Sequence, residues 1–484
     1  MRQPALVIRA GHATGTPALL CALLGTLALG TGTHASAGAQ AAETLPPALS
    51  AGVDGAVTAA LQRTGVPSAS IAVVRNGALS YARAYGSAQL APRRAASPDM
   101  RYAIGSISKE FTATALLLLQ QRGALSLDDA AGKWVPDLGA AAGVSIRALL
   151  SHTGGVRDYW PQDYDFPGML EPVTPQAIIA RWAKPALDFP SGTDWQYSNT
   201  GYTIAGLVAE RAAHQSLFQF LSAEIFRPLG MTSAFDFDAS ALPPGDATGY
   251  TRFALGPLRP AAKEGRGWLF AAGELAMTAS DLARWDIAII ERRLLDAAGY
   301  RDLTTAVRLA DGTGTGYGLG LDVGRNGGRR FLRHGGEVGG FTASNVVYPD
   351  NGIAVVVLTN EDAVNAAEEI ADDLARLLLT DNSPASAAAD TRAEQVFATL
   401  QHGHIDPALL TANARSYFTA QALADFGSSL GPLGKPTEFT LEGSGTRGGF
   451  VTRVYDVAAG GKKLGVVIRA QPDGLIEQYT VSAR

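Results

Sequence analysis

Cysteine is nearly absent. The 484 residues contain one, Cys21, and it lies inside an N-terminal apolar run. A chain processed beyond that run has no cysteine, which excludes a disulfide framework and a thiolate metal site. Lipid anchoring through Cys21 is disfavoured, because Leu20 stands before it where a small residue is wanted. Long hydrophobic runs are also missing: Pro17 to Gly30 is the longest apolar stretch at the start, and a bilayer span needs about 20 residues. No basic run is present, and 40 Lys and Arg against 45 Asp and Glu give a net charge of −5, which argues against nucleic acid as a partner. A Gly-x-y period is lacking despite 55 glycines, so the glycine content points to turns rather than collagen.

What is there reads as a globular protein. Hydrophobic residues make up 46% of the chain, an ordinary share that excludes wholesale disorder. The length exceeds what one core fills, so at least two domains are expected. Residues 1–37 carry Arg2 and Arg9, no acid, the apolar run, and Ala35-Ser36-Ala37, which has the small-x-small form of a signal-peptidase site; Ala39-Gln40-Ala41 is a second such place. These features predict export, to the periplasm or beyond, with no stable membrane anchor after cleavage.

The mature chain opens with a helix over 46–64. Two apolar runs, Ser70 to Val74 and Ala78 to Tyr85, flank Asn76-Gly77, the strongest short hairpin signal. A helix is predicted over 106–122, a mainly helical stretch over 124–310, and strands again at Phe331–His334, Ser344–Tyr348 and Ile353–Thr359, followed by a helix with Ala367, Ile370 and Leu374 on one face. Strands from both ends of this region would form one antiparallel sheet carrying a helical insertion, which excludes a doubly wound parallel sheet. Residues 382–390, small and polar, read as a linker. Residues 391–484 then form a separate small α+β domain with a curved antiparallel sheet and no readable motif.

Three local patterns carry chemistry. In Ser106-Ile107-Ser108-Lys109 the serine and lysine stand one helical turn apart, on one face. A serine hydroxyl needs a neighbouring base to become a nucleophile, and a buried lysine with a lowered pKa can be that base. In Tyr197-Ser198-Asn199 a phenol can hold or pass a proton and an amide can bind substrate. In His334-Gly335-Gly336, placed where the strand ends, the glycines let backbone lie against a ligand, and the N–H of Glu337 can join that of Ser106 as an oxyanion hole.

Ser-x-x-Lys, Tyr-x-Asn and His-x-Gly in this order resemble the serine β-lactamase and penicillin-binding-protein superfamily, and its class C-like branch with esterase and D-aminopeptidase relatives above all. Leu149 to Gly155, Pro228 to Met231, Gly316 to Gly320 and Leu358-Thr359-Asn360 are similar as well, so the resemblance covers about residues 45–380. It implies an α+β transpeptidase-like domain over 38–381, with Ser106 acylated, Lys109 and Tyr197 acting as one coupled base, and Asn199, His334, Gly336 and Glu337 on the substrate. No metal or organic cofactor is implied. Enzymes specialised for β-lactams usually carry Lys-Thr-Gly where this chain has His334-Gly335-Gly336, and histidine is mostly neutral at pH 7 with a reference pKa of about 6.5. That shifts weight towards carboxylic esters or D-amino-acid peptides and amides. The expected partner is a small molecule or peptide, cell-wall fragments included. The alternative is a penicillin-binding sensor or a scaffold that acylates slowly or not at all.

Other patterns read as structure. Gly427-Ser428-Ser429-Leu430-Gly431 lacks the strand–turn–helix context of a nucleophile elbow, and His402-Gly403-His404 lacks further metal ligands. His152-Thr153-Gly154 also fits His-x-Gly but precedes Tyr197, so it reads as a structural loop. Glu274 reads as a helix cap. Tyr159, Trp160 and Trp195 suit a pocket or a core equally.

Overall fold

The computed structural model describes residues 44–160, 167–326, 328–379, 384–447 and 449–484; the expected signal segment, with Cys21, lies outside them. Helix α1 (Pro47–Thr64) leads into strands β1 (Ser68–Arg75), β2 (Ala78–Leu90) and β3 (Arg93–Ala95). Asn76 and Gly77 take φ of 53° and 72°, the left-handed pair that a tight hairpin turn requires. Strands β4 (Asp322–Asn326), β5 (Arg329–Val338), β6 (Phe341–Tyr348) and β7 (Ile353–Thr359) return much later. All seven join one antiparallel sheet in the order β3-β2-β1-β7-β6-β5-β4, so the two ends of the domain meet at the pairing of β1 with β7.

Both faces of the sheet centre are covered, and alternate side chains serve two cores. Ala69, Ile71, Val73, Val355 and Val357 pack under α1 and α6 (Ala366–Leu379). Ala72, Val74, Ala354, Val356 and Leu358 face the opposite side, against the helical insertion. This explains why β7 is buried along its whole length. Within the insertion, α2 (Ser108–Gln121), α3 (Ile146–Leu150), α4 (Asn199–Ala213) and α5 (Ala279–Glu291) contribute to the larger core.

Strand β5 does not stop at His334. It runs to Val338, with His334 opposite Asn345, Gly335 opposite Ser344 and Gly336 opposite Ala343. The turn Gly339-Gly340, not the His-Gly-Gly triplet, ends it, and glycine inside a paired strand marks close approach of another backbone. The expected linker is also largely helical: α7 spans Pro384–Leu400. Its alanine-rich sequence favours helix, and proline suits the first turn. Asp390 is held by Arg453 at 2.6 Å and by the Tyr455 hydroxyl at 2.8 Å, so this segment belongs to the C-terminal unit. There, α8 (Ala412–Tyr417), α9 (Ala420–Leu430) and the meander β8 (Glu438–Arg447), β9 (Phe450–Ala459), β10 (Lys462–Ala470) and β11 (Ile476–Ala483) enclose a separate core around Phe397, Tyr455 and Val466. Among the described residues, no helix is long and apolar enough to cross a membrane.

A buried polar cluster sits below α2. Glu110 accepts from Trp285 Nε1 at 2.7 Å, and Asn345 Nδ2 reaches Asp286 Oδ1 at 2.9 Å. Burial raises the Glu110 carboxyl to about 7 and raises that of Asp286, which Glu110 raises further. The folded state therefore favours the protonated acids, whereas the unfolded chain ionises Glu110 near its ordinary 4.5. The Glu110 contribution is complete below that value and is lost as pH rises through about 7. Denaturant melts should show stability falling by on the order of 1–3 kcal/mol across that window. Glu110→Gln should flatten the slope; an unchanged slope would assign it to other groups.

Candidate active site

Ser106 lies in a 3₁₀ turn, Gly105–Ile107, that feeds α2, rather than in the first turn of the helix itself. The i, i+3 relation survives, and Lys109 Nζ donates to Ser106 Oγ at 3.0 Å. Lys109 is fully buried. Its other two donor contacts go to Asn199 Oδ1 and the Ala272 carbonyl, each at 2.7 Å. The ammonium also lies 4.8 Å and 5.4 Å from the ring centres of Tyr197 and Tyr202, where the π faces stabilise a cation. Burial pushes the amine well below its usual range, and the Asp158 carboxylate opposes that shift.

The Tyr-x-Asn pattern enters from the start of α4. Ser198 caps this helix by accepting from Gly201 N at 3.0 Å, which fixes Tyr197 on one side and Asn199 on the other. The Tyr197 and Ser106 side chains line the same two cavities. Burial raises this phenol far above its ordinary value, with the neighbouring Ser106 side chain opposing, so Tyr197 is protonated at neutral pH.

The third pattern enters on β5. Gly336 lies so close to the Ser106 turn that a Cβ there would overlap the Ile104 carbonyl and sit 3.3 Å from Ser106 N. A Cβ on Gly105, which takes φ of 51°, would sit 2.6 Å from Glu337 N. Two glycines thus let the main chains of Ser106 and Glu337 meet at one seam. The Glu337 carboxylate accepts from Ala363 N at 2.9 Å. His334 is buried, with Nε2 2.9 Å from the Tyr317 hydroxyl and Nδ1 2.5 Å from the Gly335 carbonyl. Burial, reinforced by Lys109, holds it down to about 3, so the imidazole is neutral at physiological pH.

Ser106 and Tyr197 sit where two cavities meet. One, of about 790 Å³, is walled by Trp160, Leu170, Phe253 and Val338 and reaches Asn199. The other, of about 780 Å³, is lined by Asp322, Arg333, His334 and Glu368. Arg333 is paired with Glu368 at 3.1 Å and Asp372 at 2.6 Å, so its charge is already balanced.

All seven residues singled out in the sequence meet here. Several neighbours were missed. His152, read as structural, packs its ring 4.3 Å from that of Tyr197 and accepts the Ser198 N–H on Nδ1 at 3.1 Å. Asp158 holds Asn199 through two hydrogen bonds, and no sequence pattern pointed to it. His152-Thr153-Gly154 was the available signal, and its position before Tyr197 hid its proximity. Tyr159 belongs to a core with Met169, Ile178 and Trp268, Trp160 lines the apolar cavity, and Trp195 lies 5.9 Å from His152. Glu274 caps no helix: Thr278 caps α5, and Glu274 is buried just before the short strand Leu275–Met277. Ser428 and Ser429 lie within α9, and His402 and His404 lie in the turn after α7.

The Beta-lactamase family model matches residues 53–380. D-aminopeptidase of Brucella anthropi is 30% identical over 317 residues, which are 65% of this chain and 59% of that protein; the chain thus spans less than two thirds of that relative's length. A D-stereospecific amidohydrolase from a Streptomyces species superposes with a TM-score of 0.58 at 28% identity, covering 66% of this chain and 96% of that one. An octameric penicillin-binding protein homologue from Pyrococcus abyssi shares the fold more extensively, with a TM-score of 0.61 at 22% identity over 89% of this chain and 99% of that one. With the family model matching most of its length and the three motifs gathered around one serine, the chain belongs to the Beta-lactamase family.

Proposed function

We propose that the protein is an exported serine hydrolase that works through a Ser106 acyl-enzyme on D-amino-acid amides, short D-peptides or carboxylic esters bearing large apolar groups. The carrying observation is the 3.0 Å contact between a wholly buried Lys109 and Ser106. Burial favours the neutral amine, which takes the hydroxyl proton as Oγ bonds to the substrate carbonyl carbon. The resulting oxyanion faces the N–H groups of Ser106 and Glu337. Collapse of this adduct breaks the amide or ester bond, and Tyr197, protonated and facing the same cavities as Ser106, delivers a proton to the departing amine or alcohol. Lys109 returns that proton to the relay. Water then attacks the acyl ester by the same route and releases the acid. Asn199 and the β5 edge align the substrate.

Two features support an amide or ester preference over β-lactams. The third motif supplies a neutral histidine and no lysine, and Arg333 is committed to two carboxylates. A carboxylate beside the scissile bond therefore meets no free cation among these residues. The D-aminopeptidase and D-stereospecific amidohydrolase similarities point the same way.

Mass spectrometry after exposure to D-alanyl and D-phenylalanyl amides, aryl esters and penicillins tests this reading. An adduct on Ser106 that disappears in Ser106→Ala, with turnover of amides or esters exceeding that of penicillins, is expected. An adduct that survives Ser106→Ala places the nucleophile elsewhere; an adduct without turnover favours the sensor. Phe253, 76% exposed at the rim of the apolar cavity, gives a second test. Phe253→Ser should raise KM for aromatic substrates roughly three- to tenfold while leaving acetyl esters unchanged, as read from steady-state kinetics.

A further inference from the structure

We infer that Asp158 is a positioning residue that aims the Lys109 amine at Ser106 by fixing the orientation of the Asn199 amide. The inference rests on the reading of Lys109 as the base for Ser106. An ammonium has three donors, and Lys109 meets three acceptors: Ser106 Oγ, Asn199 Oδ1 and the Ala272 carbonyl. The neutral amine has two donors and one lone pair, and catalysis requires that lone pair to face the serine hydroxyl. The Ala272 carbonyl only accepts, so it always takes an N–H. Asn199 has two faces: with its oxygen towards Lys109 it takes the second N–H, whereas turned over it would offer an N–H to the lone pair and divert the base from Ser106.

Asp158 removes that freedom. A carboxylate only accepts, and this one takes Asn199 Nδ2 at 3.2 Å and Asn199 N at 2.9 Å, with Trp160 N also at 3.2 Å. The amide nitrogen is thereby anchored to Asp158 and the oxygen to Lys109. Ser106 Oγ is then the remaining neighbour of the three that can use the lone pair.

The charge of Asp158 acts in a second way. The groups facing Lys109 are Tyr197 and Tyr202 from the start of α4, His152 from the loop after α3, and His334 from β5. Burial keeps both phenols protonated and both imidazoles neutral. Asp322 on β4 acts on Tyr197, and Glu110 on α2 acts on Tyr202. Asp158 supplies the negative charge that acts on Lys109 and favours its ammonium. Removing it lowers the pH at which the amine loses its proton.

Asp158→Asn and Asp158→Ser test this on the full-length protein with a chromogenic ester from pH 5 to 10, rates being divided by the sites labelled with a fluorophosphonate. The per-site kcat should fall roughly 10- to 100-fold, a part of what positioned proton transfer contributes. The acid limb of kcat/KM should also move about one unit lower, which loss of folding alone would not produce. A limb that stays in place, a per-site rate equal to wild type, or failure of both variants to fold overturns the inference. A wild-type protein with no adduct on Ser106 would instead overturn the reading on which it rests, so the two failures are distinct.

Discussion

The site depends on an amine kept out of water beside a serine hydroxyl. A lysine side chain fully enclosed by protein loses the hydration of its charged form, and this loss depresses its proton affinity. Burial by itself would be costly and would leave the base without direction. Three acceptors within 3.0 Å and two aromatic faces offset the cost, and Asp158 limits the depression. The amine therefore sits near the balance between its two protonation states, which a base requires, and the acceptors around it give that state a direction.

The sheet and the helical insertion exist, from the standpoint of this amine, to close the cage. The turn Gly105–Ile107 and the start of α2 carry Ser106 and Lys109 as a local unit, but the cage walls come from much farther along the chain: His152, Asp158, Tyr197, Ala272 and His334. The pairing of β1 with β7 brings the ends of the domain together, and that pairing sets where β5 passes the nucleophile turn. Glycines at 105 and 336 then allow a backbone-to-backbone approach that any side chain would block.

Much of this was legible in the sequence where the cause is local. The Asn76-Gly77 hairpin, the one-turn spacing of Ser106 and Lys109, and the four-stranded C-terminal meander each follow from neighbours along the chain. The boundaries that failed were set by competition between local cues and distant pairing. His334-Gly335-Gly336 looked like a strand end because glycine weakens strands, yet pairing with β6 carries β5 to Val338. Residues 382–390 looked like a linker because they are small, yet alanine favours helix and Asp390 is tied to Arg453 and Tyr455. His152 and Asp158 could not be read because their partners, Ser198 and Asn199, lie about 40 positions onward and become neighbours only when the loop after α3 folds over α4.

The neutral third motif has a consequence for the whole cage. A lysine at position 334 would place a second buried cation near Lys109, and like charges would lower the proton affinity of both. His334 adds no cation at neutral pH because burial and Lys109 together keep it unprotonated. Of the groups around Lys109, Asp158 therefore supplies the charge that acts on it, with the phenols and imidazoles acting as neutral walls. A substrate that brings no carboxylate of its own leaves this balance undisturbed. The apolar walls of Trp160, Leu170 and Phe253 fit the proposed substrates for the same reason: they offer contact area rather than charge.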